Sequence, residues 1–583
     1  MAKRSRKKVN GEPAQVTQTR GQRALWRDLT ILAQDPQVQV DGKPLWSSVT
    51  LPCEPLLPGP CGARIKVVDY DASQDRCYVP LDGGYEANGE PVDPFADTSS
   101  TGRLRDPRFH QQNAYAIAMR ILCRFESALG RRVNYGFNGH QLHIAPHAFA
   151  EANAYYSRES RSLCFGYFPD DENQIRFTCL SHDIVAHETA HALLDGLRPH
   201  YIEPSSPDQG GFHEGFSDII ALLSILSDKR IVETILMREK VMSSGQKLVA
   251  KRHLGADALR HSALLGLAKC MGHTLPYGAV TALRQSVTME PTPKWLDDST
   301  FAEPHRRGEI LVAAVLNAFI EVWCDRLKGL GEIRRGYLDA SRVVEDGASA
   351  ASHLLTMCIR ALDYAPPTDL QFSDYLSALL TADRETVPDD SRFNYRRTIR
   401  QCFAAWGIEP TSDPAGDGCW EAFSQPIDHA NIRFESLQRN ADEAFRFIWQ
   451  NVKSLKLNTD AYTHVTGVRP IARVAPDGLV VRETVVDFMQ ILTVRSNELA
   501  SLGLHKPAQM PTFRQVRLYG GAVLVFNEYG QLKFSIGNGV LNITRQQKRL
   551  DHLAESGFFG YRTEAAFSRG FFSRLHLNRA RGL

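Results

Sequence analysis

The stretch Asp183-Ile184-Val185-Ala186-His187-Glu188-Thr189-Ala190-His191 decides how the rest of this sequence is read. It predicts a helix over about 181–197, ended by Gly196 and Pro199. On a helix, residues four apart stand nearly one above the other, so His187 and His191 turn two imidazoles towards one point. Glu188 sits about 100° round the axis, where it can reach a water beside a metal ion without ligating the ion. Two histidines do not complete such a centre, and a third protein ligand is required.

The next helix offers one. After a loop with Pro204, Pro207 and Gly210-Gly211, a second strong apolar periodicity predicts a helix from near Phe212 to about Leu226, containing His213-Glu214-Gly215-Phe216-Ser217-Asp218. Glu214 and Asp218 share a face. That layout suits Glu214 as the third metal ligand and Asp218 as the acceptor that holds a ligand histidine in one tautomer. Alone, these acids would read as the exposed start of an ordinary helix; beside H-E-x-x-H the ligand reading prevails. His213 points away from Glu214 and reads as a cap-region residue, and His143, His147 and His182 read as strand and cap residues rather than ligands.

Outward from the motifs, 583 residues are enough for roughly two to four domains. A hydrophobic fraction of 43% with 23% charged residues is that of an ordinary globular protein, and a net charge of +2 excludes a polyanion-binding surface spread over the whole molecule. Residues 1–22 read as a disordered basic tail, and the basic C-terminal end (Arg569, Arg574, Arg579, Arg581) as a solvated one. The N-terminus lacks the apolar core of a signal peptide, and no run is long enough to span a bilayer. The eleven scattered cysteines contain no C-x-x-C. A cytoplasmic protein with reduced thiols is expected, with no nucleic-acid or membrane partner indicated.

Residues 23–34 predict a short amphipathic helix around Leu25, Trp26, Leu29 and Leu32, and strands are expected at 64–69 and near 76–80. A helix over 113–129 stops at Gly130, strands follow at 141–149 and 162–168, and Asn153-Ala154-Tyr155-Tyr156 lies between them as an edge strand. From 228 to about 408 almost everything reads as helix. The Pro- and Gly-rich stretch 409–418 marks a boundary, after which a helix at 436–454 and two hairpin-like units read as a smaller α+β module. The expected domains are thus 23–227, an α/β lobe with the metal helices; 228–424, a helical lobe; and 425–583, a C-terminal module of unassigned role.

The run from Asp183 to Leu197, followed by Glu214-x-x-x-Asp218, resembles the thermolysin family of zinc metallopeptidases, the gluzincins. The resemblance extends over residues 108–227, more loosely over 300–410, and not beyond 425. It implies an α+β fold with two lobes, a mixed sheet and helix N-terminal lobe and an all-helical second lobe, here with the C-terminal module added. It implies one Zn²⁺ held by His187, His191 and Glu214, with Glu188 as general acid/base in peptide hydrolysis. Asp195 stands where the family carries an acid orienting its second histidine. Asn153 and Ala154 match the edge strand that holds a peptide or protein substrate. His305, in Glu303-Pro304-His305-Arg306-Arg307-Gly308, takes the place of the family's second catalytic histidine, and Tyr201 is the only tyrosine between His191 and Glu214 to assist the oxyanion. Asp297 and Asp298 lie too far upstream for the family's usual partner of that histidine, so a different orientation of His305 is expected. Asp183 matches a calcium-ligand position, but the companion acids are missing and calcium is not supported. A catalytically silent zinc scaffold, using residues 425–583 to bind a protein partner, is the alternative.

Overall fold

The computed structural model describes residues 25–560 apart from 41, 86–89, 171, 204, 239–240, 243–244, 246, 261–285, 287–288 and 475–477. The two basic ends, residues 261–285 of the expected helical stretch and residues 475–477 of the first expected hairpin lie outside the described residues.

The predicted helix over 23–34 is instead a strand, β1 (Trp26–Leu32), paired antiparallel with β2 (Trp46–Pro52) so that Leu29 faces Val49. The helical reading counted Leu25 and Trp26 as core, yet they are 79% and 60% exposed. The side chains that enter the core are Arg27, Leu29 and Ile31, two apart, followed by Leu32; this is the alternation of a half-buried strand.

A mixed sheet forms the first layer. It runs β7-β6-β4-β3, from β3 (Ile65–Val67), β4 (Leu142–Phe149), β6 (Ser162–Pro169) and β7 (Ile175–Phe177), with β5 (Ala154–Ser157) antiparallel to β6. Against it lies α1 (Pro107–Leu129), started by the Asp106 cap with Pro107 in the first turn and ended at Gly130, whose φ of 66° is the left-handed geometry glycine tolerates. Several polar side chains of α1 are buried and hydrogen-bonded across to neighbouring elements. Gln111 bonds Asp69 and Leu81 N, while Asn113 accepts from Leu32 N and donates to Cys179 O.

The motif helix α2 (His182–Leu197) and α3 (Pro207–Leu226) follow. Helix α3 begins five residues before the expected Phe212, because Ser206 caps Gln209 N and Pro207 occupies the first turn. The helical region continues as α4 (Lys229–Arg238), α5 (Pro304–Lys328), α6 (Ala340–Arg360), α7 (Phe372–Arg384) and α8 (Tyr395–Ala405). It is not wholly helical, since Leu248–Ala250 pairs antiparallel with Tyr337–Asp339.

At the C-terminal side, α9 (Ala441–Gln450) precedes β8 (Tyr462–Val474), β9 (Val480–Arg495), β10 (Gln515–Asn527) and β11 (Leu532–Asn538), and α10 (Ile543–Glu555) follows them. The two expected hairpins join as one four-stranded antiparallel meander. Its Ile471, Val485, Val523, Val525, Phe534 and Ile536 belong to the same continuous core as α1, α2, α3 and α5–α8, so the sheet is fused to the remainder along one face. Buried ion pairs reinforce that seam: Arg131 and Arg473 on Asp363, Arg473 on Glu483, and Arg198 on Asp487. Among the described residues the architecture is α+β with several sheets, and no helix is long and apolar enough to cross a membrane.

Candidate metal centre

Helix periodicity and one close helix crossing assemble the centre. His187 and His191 lie one turn apart on α2, and their Nε2 atoms stand 2.8 Å from each other. Glu214 Oε2, on α3, lies 3.6 Å from His187 Nε2 and 3.7 Å from His191 Nε2. Glu214 and His191 are almost fully buried. The fourth side chain comes from α5, where His305 Nε2 lies 3.3 Å from Glu214 Oε2. Glycine permits that approach. A Cβ on Gly215 would stand 2.8 Å from Gly308 O, so α3 and α5 meet backbone to backbone immediately beside Glu214 and His305.

Proton counting defines what the two α2 histidines offer. His187 Nδ1 lies 2.8 Å from Asp218 Oδ1, a carboxylate that can only accept when ionised, so the ring proton is on Nδ1. His191 Nδ1 faces Ser217 Oγ at 3.0 Å, and that hydroxyl donates its own proton to His213 O at 3.0 Å. Ser217 therefore accepts from His191 Nδ1–H. The inward Nε2 atoms are then the exchangeable positions, and two ring nitrogens 2.8 Å apart beside a carboxylate oxygen suit a cation, either a shared proton or a metal ion. Zn²⁺ bonds of about 2.0–2.1 Å would set tetrahedral ligand separations of ~3.3 Å, a value that the three observed edges of 2.8, 3.6 and 3.7 Å bracket. The electrostatics agree. Burial penalises a charged His187 ring, but Asp218, Glu214 and Glu188 outweigh it and raise its pKa well above the ordinary value, the mark of a site built to hold positive charge. His187, His191 and Glu214 thus fit the ion that their spacing suggested.

Glu188 is 3% exposed and stands against β5, accepting the Tyr156 N–H at 2.8 Å through Oε2. This bond places the edge of β5 facing α2 beside the centre. Ala154 opens that strand, and Asn153 precedes it with its Oδ1 taken up by the Ala154 N–H at 2.9 Å. His305 Nδ1 is held at 2.7 Å by Glu303, which also caps α5 through Arg306 N. Burial alone would raise the Glu303 pKa, but His305 and the cap bonds hold it below the ordinary carboxylate value.

Two expected roles need correction. Asp195 does not orient a ligand histidine; it accepts from Tyr156 Oη at 2.8 Å and pairs with Arg158 through both carboxylate oxygens, bracing β5 on α2. Ser217 takes the histidine instead. Tyr201 is not brought to the centre. It is fully buried, its hydroxyl donates to Pro366 O at 2.6 Å, and its ring packs edge-on to Phe212. Ser217 and Glu303 went unrecognised in the sequence. Glu303 carried a usable signal, an acid before Pro304 at a helix start and two residues from His305, whereas nothing singled out Ser217. His213 is buried within α3 with its ring stacked on His191 at 4.6 Å, so it is not a cap residue. Asp183, with Ser181 and Asp35, forms a buried acidic cluster at the start of α2.

No protein-family model matches the chain, and no curated protein matches it.

Proposed function

We propose that this chain is a zinc-dependent peptidase of the thermolysin-like, gluzincin type. The observation that carries the proposal is the convergence of two inward imidazole nitrogens and the Glu214 carboxylate on one point, with Glu188 and His305 both at its rim. A bound Zn²⁺ would polarise the scissile carbonyl and acidify the attacking water towards neutrality. Everything else is done by this chain's own groups. Glu188, one oxygen fixed by Tyr156 N–H, takes the water proton and returns it to the leaving nitrogen. His305 has carboxylate oxygens at both ring nitrogens, which arranges it as a donor; swung from Glu214 it would deliver Nε2–H to the developing oxyanion. An extended peptide substrate would add to the edge of β5 at Asn153 and Ala154. The centre draws His187 and His191 from the helix against the mixed sheet and His305 from the helical region, which supports a two-lobed arrangement with the cleft between.

One observation favours the alternative of a silent zinc scaffold: the burial of Tyr201 leaves His305 as the only assigned oxyanion donor. Metal analysis combined with a peptide-library digest, on wild type and Glu188→Gln, separates the two. Stoichiometric zinc in both proteins with cleavage lost in the variant supports the peptidase. Zinc in both with cleavage by neither supports the scaffold.

A further inference from the structure

A second group of donors, sharing no residue with the first, lies inside the sheet lobe. His110 stands on α1, His147 on β4, and Cys179 in the short 3-10 turn that leads into α2. All three are buried, at 1%, 0% and 0% exposure. His110 Nδ1 and His147 Nε2 are 2.8 Å apart, and with the Cys179 sulfur they lie within 4.8 Å of one another.

The outer ring nitrogens fix the protons as they do at the first centre. His147 Nδ1 lies 2.9 Å from Asp69 Oδ1 and 3.0 Å from Oδ2, and Asp69 is itself steadied by Gln111 Nε2 at 2.8 Å. His110 Nε2 lies 2.9 Å from Leu104 O, a carbonyl that can only accept. Both outer nitrogens therefore carry hydrogen, and in neutral rings the two inward nitrogens are bare. Two lone pairs and a sulfur face one another inside a wall made by Tyr78 and Phe177, with ring centroids 4.5 to 5.3 Å away. An imidazole donating its far N–H to a carboxylate or a main-chain carbonyl is the arrangement that orients metal-bound histidines.

We propose that His110, His147 and Cys179 form a second, structural site for Zn²⁺, independent of the peptidase centre, that ties α1 and β4 to the entry of α2. On binding, Cys179 gives up its thiol proton and becomes the anionic ligand, while both imidazoles bind as neutral donors. The charge balance selects a divalent ion: the thiolate and the Asp69 carboxylate together neutralise Zn²⁺, as a closed pocket requires, whereas Cu⁺ would leave a net negative charge.

The test uses the full chain expressed in cobalt-supplemented minimal medium, so that the ion is incorporated as the protein folds. A thiolate ligand gives Co²⁺ an intense sulfur-to-metal charge-transfer band in the near ultraviolet that a site of two histidines and a glutamate cannot give. The band is expected in wild type and in His191→Ala, and should vanish in Cys179→Ser. In zinc-grown protein, wild type should hold a second equivalent of metal, which Cys179→Ser or His147→Gln loses. Wild type that takes up Co²⁺ without the thiolate band would overturn the proposal even if the variants do not fold. So would zinc content unchanged in Cys179→Ser, or copper as the native ion. Loss of peptidase activity in His191→Ala with the band intact keeps the two centres distinct.

Discussion

Zinc affinity should depend on Ser217 and Asp218 and not on Asp195. The ranking follows from the hydrogen bonds. Asp218 holds His187 through a charge-assisted bond of 2.8 Å, but its side chain is 21% exposed and solvent screens part of the charge. Bonds to charged groups contribute about 1.5–3 kcal/mol, and the screening places this one near ~2 kcal/mol. Asp218→Asn should therefore weaken zinc binding about 30-fold, within the range known for removal of outer partners. Ser217 holds His191 through a neutral bond of 3.0 Å, with a net value of ~1 kcal/mol, so Ser217→Ala should cost about 5-fold. Asp195→Asn should change zinc affinity less than about 2-fold, because neither of its oxygens meets a ligand ring. It should instead destabilise the fold by ~2 kcal/mol, since it weakens the pairing of Arg158 with a fully buried acid.

The assay is competition with a zinc chelator of known affinity at neutral pH, in a Glu188→Gln background that prevents self-cleavage, with urea unfolding of the same proteins in parallel. Equal zinc losses for Asp195→Asn and Ser217→Ala would refute the assignment of the two acceptors. An unchanged affinity in Ser217→Ala would refute the tautomer argument on which the inward lone pair of His191 rests.

His305→Ala should retain zinc while kcat/KM for a fluorogenic peptide falls ~10²–10³-fold, and Glu303→Gln should cost less, ~10-fold, because it disturbs only the orientation of the ring. Equal losses for the two would place the function in Glu303 instead. Burial, then the neighbouring Asp183, raises the Asp35 pKa to about 7, against bonds from Gln37 and Ser181 that lower it. The folded state holds that proton more tightly than the unfolded chain, so its contribution is complete below about pH 4 and is lost as pH rises towards 7, by at most ~4 kcal/mol. Asp35→Asn should flatten the pH dependence of the urea midpoint across that window and raise stability at pH 8; an unchanged slope would show that Asp35 is ionised in the fold. Arg473 is fully buried between Asp363 and Glu483, and Arg473→Met should cost ~3–5 kcal/mol in urea unfolding through the two acids it leaves behind; a loss below ~1 kcal/mol would show that the seam does not depend on it.

What the sequence made legible is what depends on a repeat within one element. His187 and His191, and Glu214 and Asp218, are each four apart on a helix, so their convergence needs only helix geometry and two helices in contact. The strands at 142–149 and 162–169 and the long helix ending at Gly130 were legible for the same reason. Partners set by the crossing of distant elements were not. His305, held by Glu303, reaches Glu214 because Gly215 and Gly308 let α3 and α5 touch, and no local spacing announces that contact. His147 read as an ordinary strand residue because Asp69, His110 and Cys179, which give it its setting, lie 78, 37 and 32 positions away. Tyr201 failed for a different reason. Its role came from its order between two motifs, and order does not say which way a ring points; Pro366 and Phe212 had already enclosed it.

The C-terminal sheet and the buried histidine cluster act on the same helix from opposite ends. At the entry of α2, Asn113 holds Cys179 O at 3.0 Å and Ser181 meets Asp35 at 3.2 Å. At its exit, a Cβ on Gly196 would stand 1.8 Å from Asn134 O, so only glycine fits there, and Arg198 is locked to Asp487 of β9 at 2.9 Å. Arg198 lies eleven residues beyond His187, about 16 Å along the axis, so β9 grips α2 at the end away from His187 and Glu188. A contact there cannot cover the metal ligands, but it can keep their helix from shifting. A metal centre loses affinity when its ligands move by about half an ångström, and the ligands of α2 can be no more rigid than the two ends of the helix that carries them. On this view residues 425–560, whose sheet shares the core of the helices, are not a detachable module. They are the far abutment of the motif helix, and removing them should loosen zinc as well as lower stability.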